Sequence, residues 1–116
     1  MIPALLLLLG SQDHPPRGTL RLHGTLKSVD LRSERASFEV ESYVDPRGFE
    51  TTLGKPAVQS LSIARVPVRS LKTQAVGSLR DLKPGLSARA IVAATRLGQA
   101  TVLRAREIWV DSDVAG

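Results

Sequence analysis

The sequence predicts an all-β domain, five strands curled toward a small Greek-key barrel, with one short helical turn between the third and fourth strands. Three observations predict it. Apolar and polar residues alternate with period two through successive stretches, Gly, Pro and Asp signals separate those stretches at short intervals, and two of the alternations change phase midway. A bulge repairs such a slip and coils the strand, which is how a small sheet begins to close on itself.

Residues 1–9, MIPALLLLL, form too short a run to cross a bilayer as a helix, which takes about 20 residues, but they match the apolar part of an export signal. No Lys or Arg precedes the run, and a leucine stands where cleavage favours a small residue, so a buried apolar segment or an uncleaved anchor is the alternative. Export is the expectation, with the mature chain beginning between Ser11 and Arg17. Pro15, Pro16 and Gly18 mark the rest of residues 1–17 as a spacer in which no burial is expected.

The domain itself spans residues 18–110. Thr19–Asp30 sets Leu20, Leu22 and Leu26 on one face and Arg21, His23 and Thr25 on the other. Gly24 takes the missing apolar slot, as a glycine at a bulge or sharp coil does, and Val29 is out of phase with Leu26, so a bulge is expected near Lys27-Ser28. Residues 36–44 place Phe38, Val40 and Val44 inward and Glu39, Glu41 and Tyr43 outward. Asp45-Pro46-Arg47-Gly48 then has the residues of a type I turn. Residues 49–53 read as a short return strand or extended loop. After Gly54-Lys55-Pro56, residues 57–64 form a strand with Leu61 and Ile63 inward. Residues 65–77 carry Pro67 and no period, and read as a connector.

Ser78 and Asp81 stand at capping-box spacing and open a single helical turn, which Pro84 and Gly85 stop, leaving Leu79 and Leu82 as an apolar plug. Residues 86–95 and 100–110 read as an antiparallel hairpin around Leu97-Gly98-Gln99. Leu103 and Ala105 share a face while Ile108 and Val110 fall in the opposite phase, which predicts a second bulge near Arg106-Glu107. Residues 111–116 are a polar tail. The predicted core is Leu20, Leu22, Phe38, Val40, Leu61, Ile63, Ile91 or Val92, Leu103 and Ile108.

Five main strands with a capping turn between the third and fourth match the order of an OB-fold, a small Greek-key barrel. Gly24-Thr25-Leu26-Lys27-Ser28-Val29-Asp30, Leu79-Arg80-Asp81-Leu82-Lys83-Pro84-Gly85 and Ala105-Arg106-Glu107-Ile108 resemble the G-T-V-x-x-V-D, L-x-D-L-K-P-G-x-x-V and A-x-x-I landmarks of small exported bacterial OB-like domains of unknown function. The resemblance spans about residues 18 to 110, rests on structural residues, and implies a fold and export rather than an activity. One stretch departs from it: Leu86-Ser87-Ala88-Arg89-Ala90 has smaller inward residues than that family, which either loosens the barrel or leaves room for a neighbouring element.

With 116 residues, 42% hydrophobic and 23% charged, the chain has the composition of one globular domain. Only Phe38, Tyr43, Phe49 and Trp109 are aromatic, so the core must be aliphatic and small. Cysteine is absent, which excludes disulfides, thiolate metal sites and cysteine nucleophiles. His14 and His23 have no metal-ligand spacing, no phosphate loop occurs, and Glu39 with Glu41 reads as ordinary acids on a solvated strand. Neither a catalytic residue nor a metal or cofactor is expected.

Charge is the stronger signal. Twelve of the sixteen cations are Arg and the formal balance is +5. Arg65, Arg69 and Lys72 cluster in the connector, and Arg89, Arg96, Arg104 and Arg106 lie on the final hairpin. These residues, with Tyr43 and Trp109 as stacking platforms, are the candidate ligand or phosphate contacts. The simpler reading is a set of solvated strand faces, with Trp109 closing one end of the fold. The expected function is a non-enzymatic binding or structural module of the bacterial cell envelope, its partner an envelope protein, a peptide or a glycan. The alternative is a cytoplasmic nucleic-acid-binding OB protein; for the first reading, nucleic-acid binding is expected to be weak and non-specific.

Overall fold

The computed structural model describes residues 14–115, so the apolar run read as an export segment lies outside the described residues. Six strands follow one another: β1 (Thr19–Asp30), β2 (Arg35–Val44), β3 (Glu50–Ser62), β4 (Val68–Ser70), β5 (Ser87–Ala93) and β6 (Val102–Val110). A 3-10 turn, Leu79–Asp81, precedes β5. The sheet has the order β3-β2-β1-β5-β6-β4, and β3 also pairs with β6, so the sheet closes partly into a ring. The fold is all-β as expected, with one strand more. The extra strand, β4, lies in the stretch read as a connector. Its partner is the distant β6, which it joins in parallel through Val68↔Ile108 and Ser70↔Val110, and three residues beside a proline write no period of their own.

Both predicted bulges are present. Leu26 pairs with Phe38 and Ser28 with Ser37, leaving Lys27 as the extra residue. Ile91 pairs with Glu107 and Val92 with Ala105, leaving Arg106 as the extra residue in β6. Each slip keeps the apolar residues on both sides of it inward. A third bulge falls on Glu41, between His23↔Ser42 and Gly24↔Val40. There β3 also swings out, carrying residues 53–56 where β2 has only Glu41. What the sequence presents as a short strand or extended loop, a break and a second strand is thus one strand with an excursion. Gly24 faces this crossing, where a Cβ would overlap the carbonyl oxygen of Glu39. Only glycine lets the β1 and β2 backbones approach so closely.

The third bulge corrects the outward placement of Tyr43. Past Glu41 the phase reverses, so Tyr43 lies opposite Leu22 and packs against the core, while Val44 is buried outside the core cluster. Alternation could not reveal the slip because Tyr43 and Val44 are adjacent and both largely apolar.

The core holds the predicted residues, with Val92 rather than Ile91 as the inward member of that pair. Ala88, Ala90 and Ala94 are the small inward residues of β5 and its exit, and Leu82 of the plug is buried in the same cluster. The plug is fastened at both ends. Asp81 Oδ2 accepts the Ser78 N–H at 2.8 Å, and Gly85, at φ 93°, donates its N–H to the Leu26 carbonyl at 2.7 Å. The hairpin loop is longer than expected, residues 94–101, and Gln99 Oε1 closes it by accepting from both N and Oγ1 of Thr95.

Both flanks are tied to the sheet. Before β1, Thr19 donates from N and Oγ1 to the Pro16 carbonyl, and Pro15 is buried, contrary to the expectation of an unpacked spacer. After β6, Ser70 Oγ donates to the Ser112 carbonyl at 2.6 Å, Ala115 N–H donates to Asp81 Oδ1 at 2.8 Å, and Val114 packs against the core.

Candidate functional site

Because Leu22, Ala90 and Ile108 face the core, their neighbours His23, Arg89 and Trp109 face outward, and the three lie side by side across β1, β5 and β6. Arg69 of β4 extends the row, paired with Trp109, and its guanidinium sits over the indole 5.6 Å from the ring centre. The next outward row is Arg21, Ile91 and Glu107. A cleft of about 350 Å³ opens over Arg89 and Trp109 of the first row and over all three residues of the second. Its remaining walls are His14, Pro15 and Pro16 from before β1 and Leu71 and Gln74 from the turn after β4.

Local chemistry explains how those walls are held. The buried hydroxyl of Ser70 accepts the N–H groups of Lys72 and Thr73, each at 3.1 Å, which winds the turn that presents Leu71 and Gln74. Gln74 takes a left-handed backbone there, φ 62°, and donates its N–H to the Ser70 carbonyl. On the other wall the His14 ring lies against Gly48, at the positive-φ corner of the Asp45 turn, so closely that a Cβ there would overlap it. The turn is stiffened by Asp45, which accepts the Arg47 and Phe49 N–H groups and pairs with the Arg47 guanidinium at 2.8 Å. Those contacts, the Arg47 side chain first, hold the Asp45 carboxyl below its ordinary range.

In the cleft and at its border with His23 the side chains are arranged in pairs. The Trp109 indole N–H donates to the Glu107 carboxylate. Arg21 Nε donates to His23 Nε2 at 3.0 Å, so the imidazole accepts and is neutral there. Burial pushes the His23 pKa down, the charges of Arg21 and Arg89 push it further, and only Glu50 opposes them. Two guanidiniums therefore act on one place. The Arg89 guanidinium makes no hydrogen bond or ion pair with any described residue, while its backbone lies in the ladders to β1 and β6. A second hollow, of about 250 Å³, shares Arg89 and Leu71 with the cleft and is lined further by His23, Glu41 and Asp111.

Of the residues singled out in the sequence, Arg89 and Trp109 line the cleft and Arg69 stacks on Trp109. Lys72 is exposed on the turn one residue past Leu71, and Arg65 is exposed in the turn between β3 and β4 at φ 57°. Arg104, paired with Ser62, and Arg106, the bulged residue, are exposed on β6 without lining the cleft, and Arg96 belongs to the hairpin loop. Tyr43, against the core, shares no face with Trp109. Sequence reasoning missed Arg21, His23, Ile91 and Glu107 as one group. Their outward phase was readable, but the β1–β5 pairing that collects them joins strands far apart in the chain.

No protein-family model matches the chain, and no curated protein matches it in sequence. Among the described residues no three His, Asp or Glu side chains converge as a metal site would require, and no helix is long and apolar enough to cross a membrane.

Proposed function

We propose that the chain is an OB-like binding module of the bacterial cell envelope, non-enzymatic, whose ligand sits in the cleft beside Trp109. The observation that carries the binding reading is that cleft: a concave site in which Pro15, Pro16, Leu71, Ile91 and Trp109 alternate with polar and charged side chains, as apolar walls and orienting polar groups do in a small-ligand pocket. Support for the OB-like reading comes from the β1-β2-β3 meander, the return of β6 parallel to β3, and the apolar plug before the last hairpin. Support for the envelope comes from the apolar run at residues 1–9 and from the resemblance to exported domains. The side chains a reaction would need are engaged in holding the site, His23 by Arg21 and Glu107 by Trp109.

Nucleic-acid binding is the competing reading, and the +5 charge favours it only as a weak, salt-sensitive attraction. Base stacking needs platforms on one face, and Tyr43 and Trp109 do not share one. Because residues 14–16 wall the cleft, cleavage of an export signal should fall before His14, narrowing the start to between Ser11 and His14.

Two measurements test the proposal. In a bacterial host able to export it, intact-mass analysis should find the mature chain in the envelope or medium, starting within that window. Oligonucleotide binding detected at about 50 mM salt should be lost at about 200 mM. Full-length chain confined to the cytosol, with submicromolar oligonucleotide affinity at the higher salt, would overturn the envelope reading in favour of the nucleic-acid one.

A further inference from the structure

We infer that the C-terminal tail is a strap that sets one wall of the Trp109 cleft: residues 112–115 hold the turn after β4 through the Ser70 hydroxyl, and their release widens the cleft. This concerns the control of the cleft and rests on the binding reading above.

Ser70 is the node. Its buried hydroxyl uses every bonding site it has: the hydrogen goes to the Ser112 carbonyl at 2.6 Å, and the oxygen accepts the Lys72 and Thr73 N–H groups at 3.1 Å each. One oxygen therefore joins the tail to the turn that brings Leu71 and Gln74 to the cleft. Leu71 is the pivot, because its N–H is bonded to the Val110 carbonyl at the end of β6. The Ser70 N–H and the Ala75 carbonyl close the base of the turn, which confines movement to residues 72–74. That part is strained, since Gln74 stands at φ 62° without being a glycine. With the tail away, water reaches the Ser70 oxygen and competes for the Lys72 and Thr73 N–H groups. The turn then relaxes from its left-handed corner and takes Gln74 off the wall.

The strap itself is held lightly. Ser112 and Val114 are half-buried, while Asp111, Asp113 and Ala115 are exposed. Val114 lies against Gly77, where an added Cβ would come within 2.9 Å of its own, and Ala115 donates its N–H to Asp81 Oδ1 at 2.8 Å. The other oxygen of Asp81 caps the plug, so the strap is anchored on the plug at one end and acts on the cleft wall at the other. A segment with so few contacts opens more readily than the strands beneath it. Linkage makes the coupling mutual: a ligand that touches Gln74 in the wall favours the docked tail by the same factor as the tail favours the ligand.

The test compares amide exchange and acrylamide quenching of Trp109, the chain's single tryptophan, in three ligand-free proteins: the full chain, a chain ending at Asp111, and Val114→Asp, which puts a charge where the tail packs. In both variants exchange at Lys72 and Thr73 should rise about tenfold or more and Trp109 should be quenched more readily, with the β1–β2 ladder exchanging as slowly as before. Val114→Asp decides the matter should the shorter chain not fold. Ser70→Ala should in turn speed exchange at Ala115, which a purely local role of the hydroxyl would leave unchanged. Native exchange at Lys72 and Thr73 in the tail variants, or at Ala115 in Ser70→Ala, overturns the strap. So does a loosened turn with unaltered quenching of Trp109, or a rise in exchange spread evenly over the β1–β2 ladder, which would make the tail a general stabiliser. Because no ligand enters these measurements, the strap can fail while the cleft binds, and can hold where it does not.

Discussion

Gly24 is the residue on which two backbones depend. Any Cβ at that position overlaps the Glu39 carbonyl, and neither strand can retreat without breaking the β1–β2 ladder. Gly24→Ala should therefore destabilise the fold by about 1 to 3 kcal/mol, at the upper end because the clash is with backbone, as read by urea denaturation. The sequence showed a glycine where an apolar residue was due, and the strain that excludes anything else became visible only with β2 in place. His23 sets a second residue-scale expectation. Its folded pKa lies below the ordinary value of about 6.5, so the unfolded chain binds its proton first. The stabilisation from neutral His23 is thus complete above about pH 6.5 and is lost as the pH falls toward the folded value. Melting temperatures between about pH 7.5 and 5 should fall in the native chain and fall less in His23→Gln, which keeps an acceptor for Arg21 without the titration. Equal slopes in the two proteins would remove His23 as the cause.

At the scale of elements, the bulges at Lys27 and Arg106 were legible because Leu, Val and Ile on either side of each one disagree in phase. The Glu41 bulge was not, since Tyr43 beside Val44 gives alternation nothing to read, and so Tyr43, expected outside, turned inward. Candidate site residues suffered in the same way: outward positions were readable strand by strand, but not that β5 would lie beside β1 and bring Arg89 next to His23. The Arg106 bulge divides β6 between two neighbours, pairing with β3 through residues 102–104 and with β4 through residues 108–110. Deleting Arg106 restores a strand of unbroken alternation, yet it should lower stability because the strand loses the coil that swings its edge from one partner to the other. Hydrogen exchange should then show lost protection at residues 60–62 and 102–104 before the β1–β2 ladder. Unchanged protection there would mean that closure does not depend on the bulge.

Across the whole molecule, the sheet joins its ends only where residues 60–62 of β3 meet β6, so the rest of the β3 edge has no partner strand among the described residues. Such an edge, with Val58 64% exposed upon it, is a template on which a second chain can lay down a strand. The excursion at residues 53–56 spoils the template. Pro56 offers no N–H, Lys55 sets a charge on the rim, and the outward swing breaks the even spacing of donors and acceptors that an incoming strand needs. The detour in β3 is thus a guard against self-association, built from the residues that looked like a gap between strands. Lys55→Val with Pro56→Thr should leave the fold intact and make the sedimenting mass distribution grow more steeply with concentration than that of the native chain.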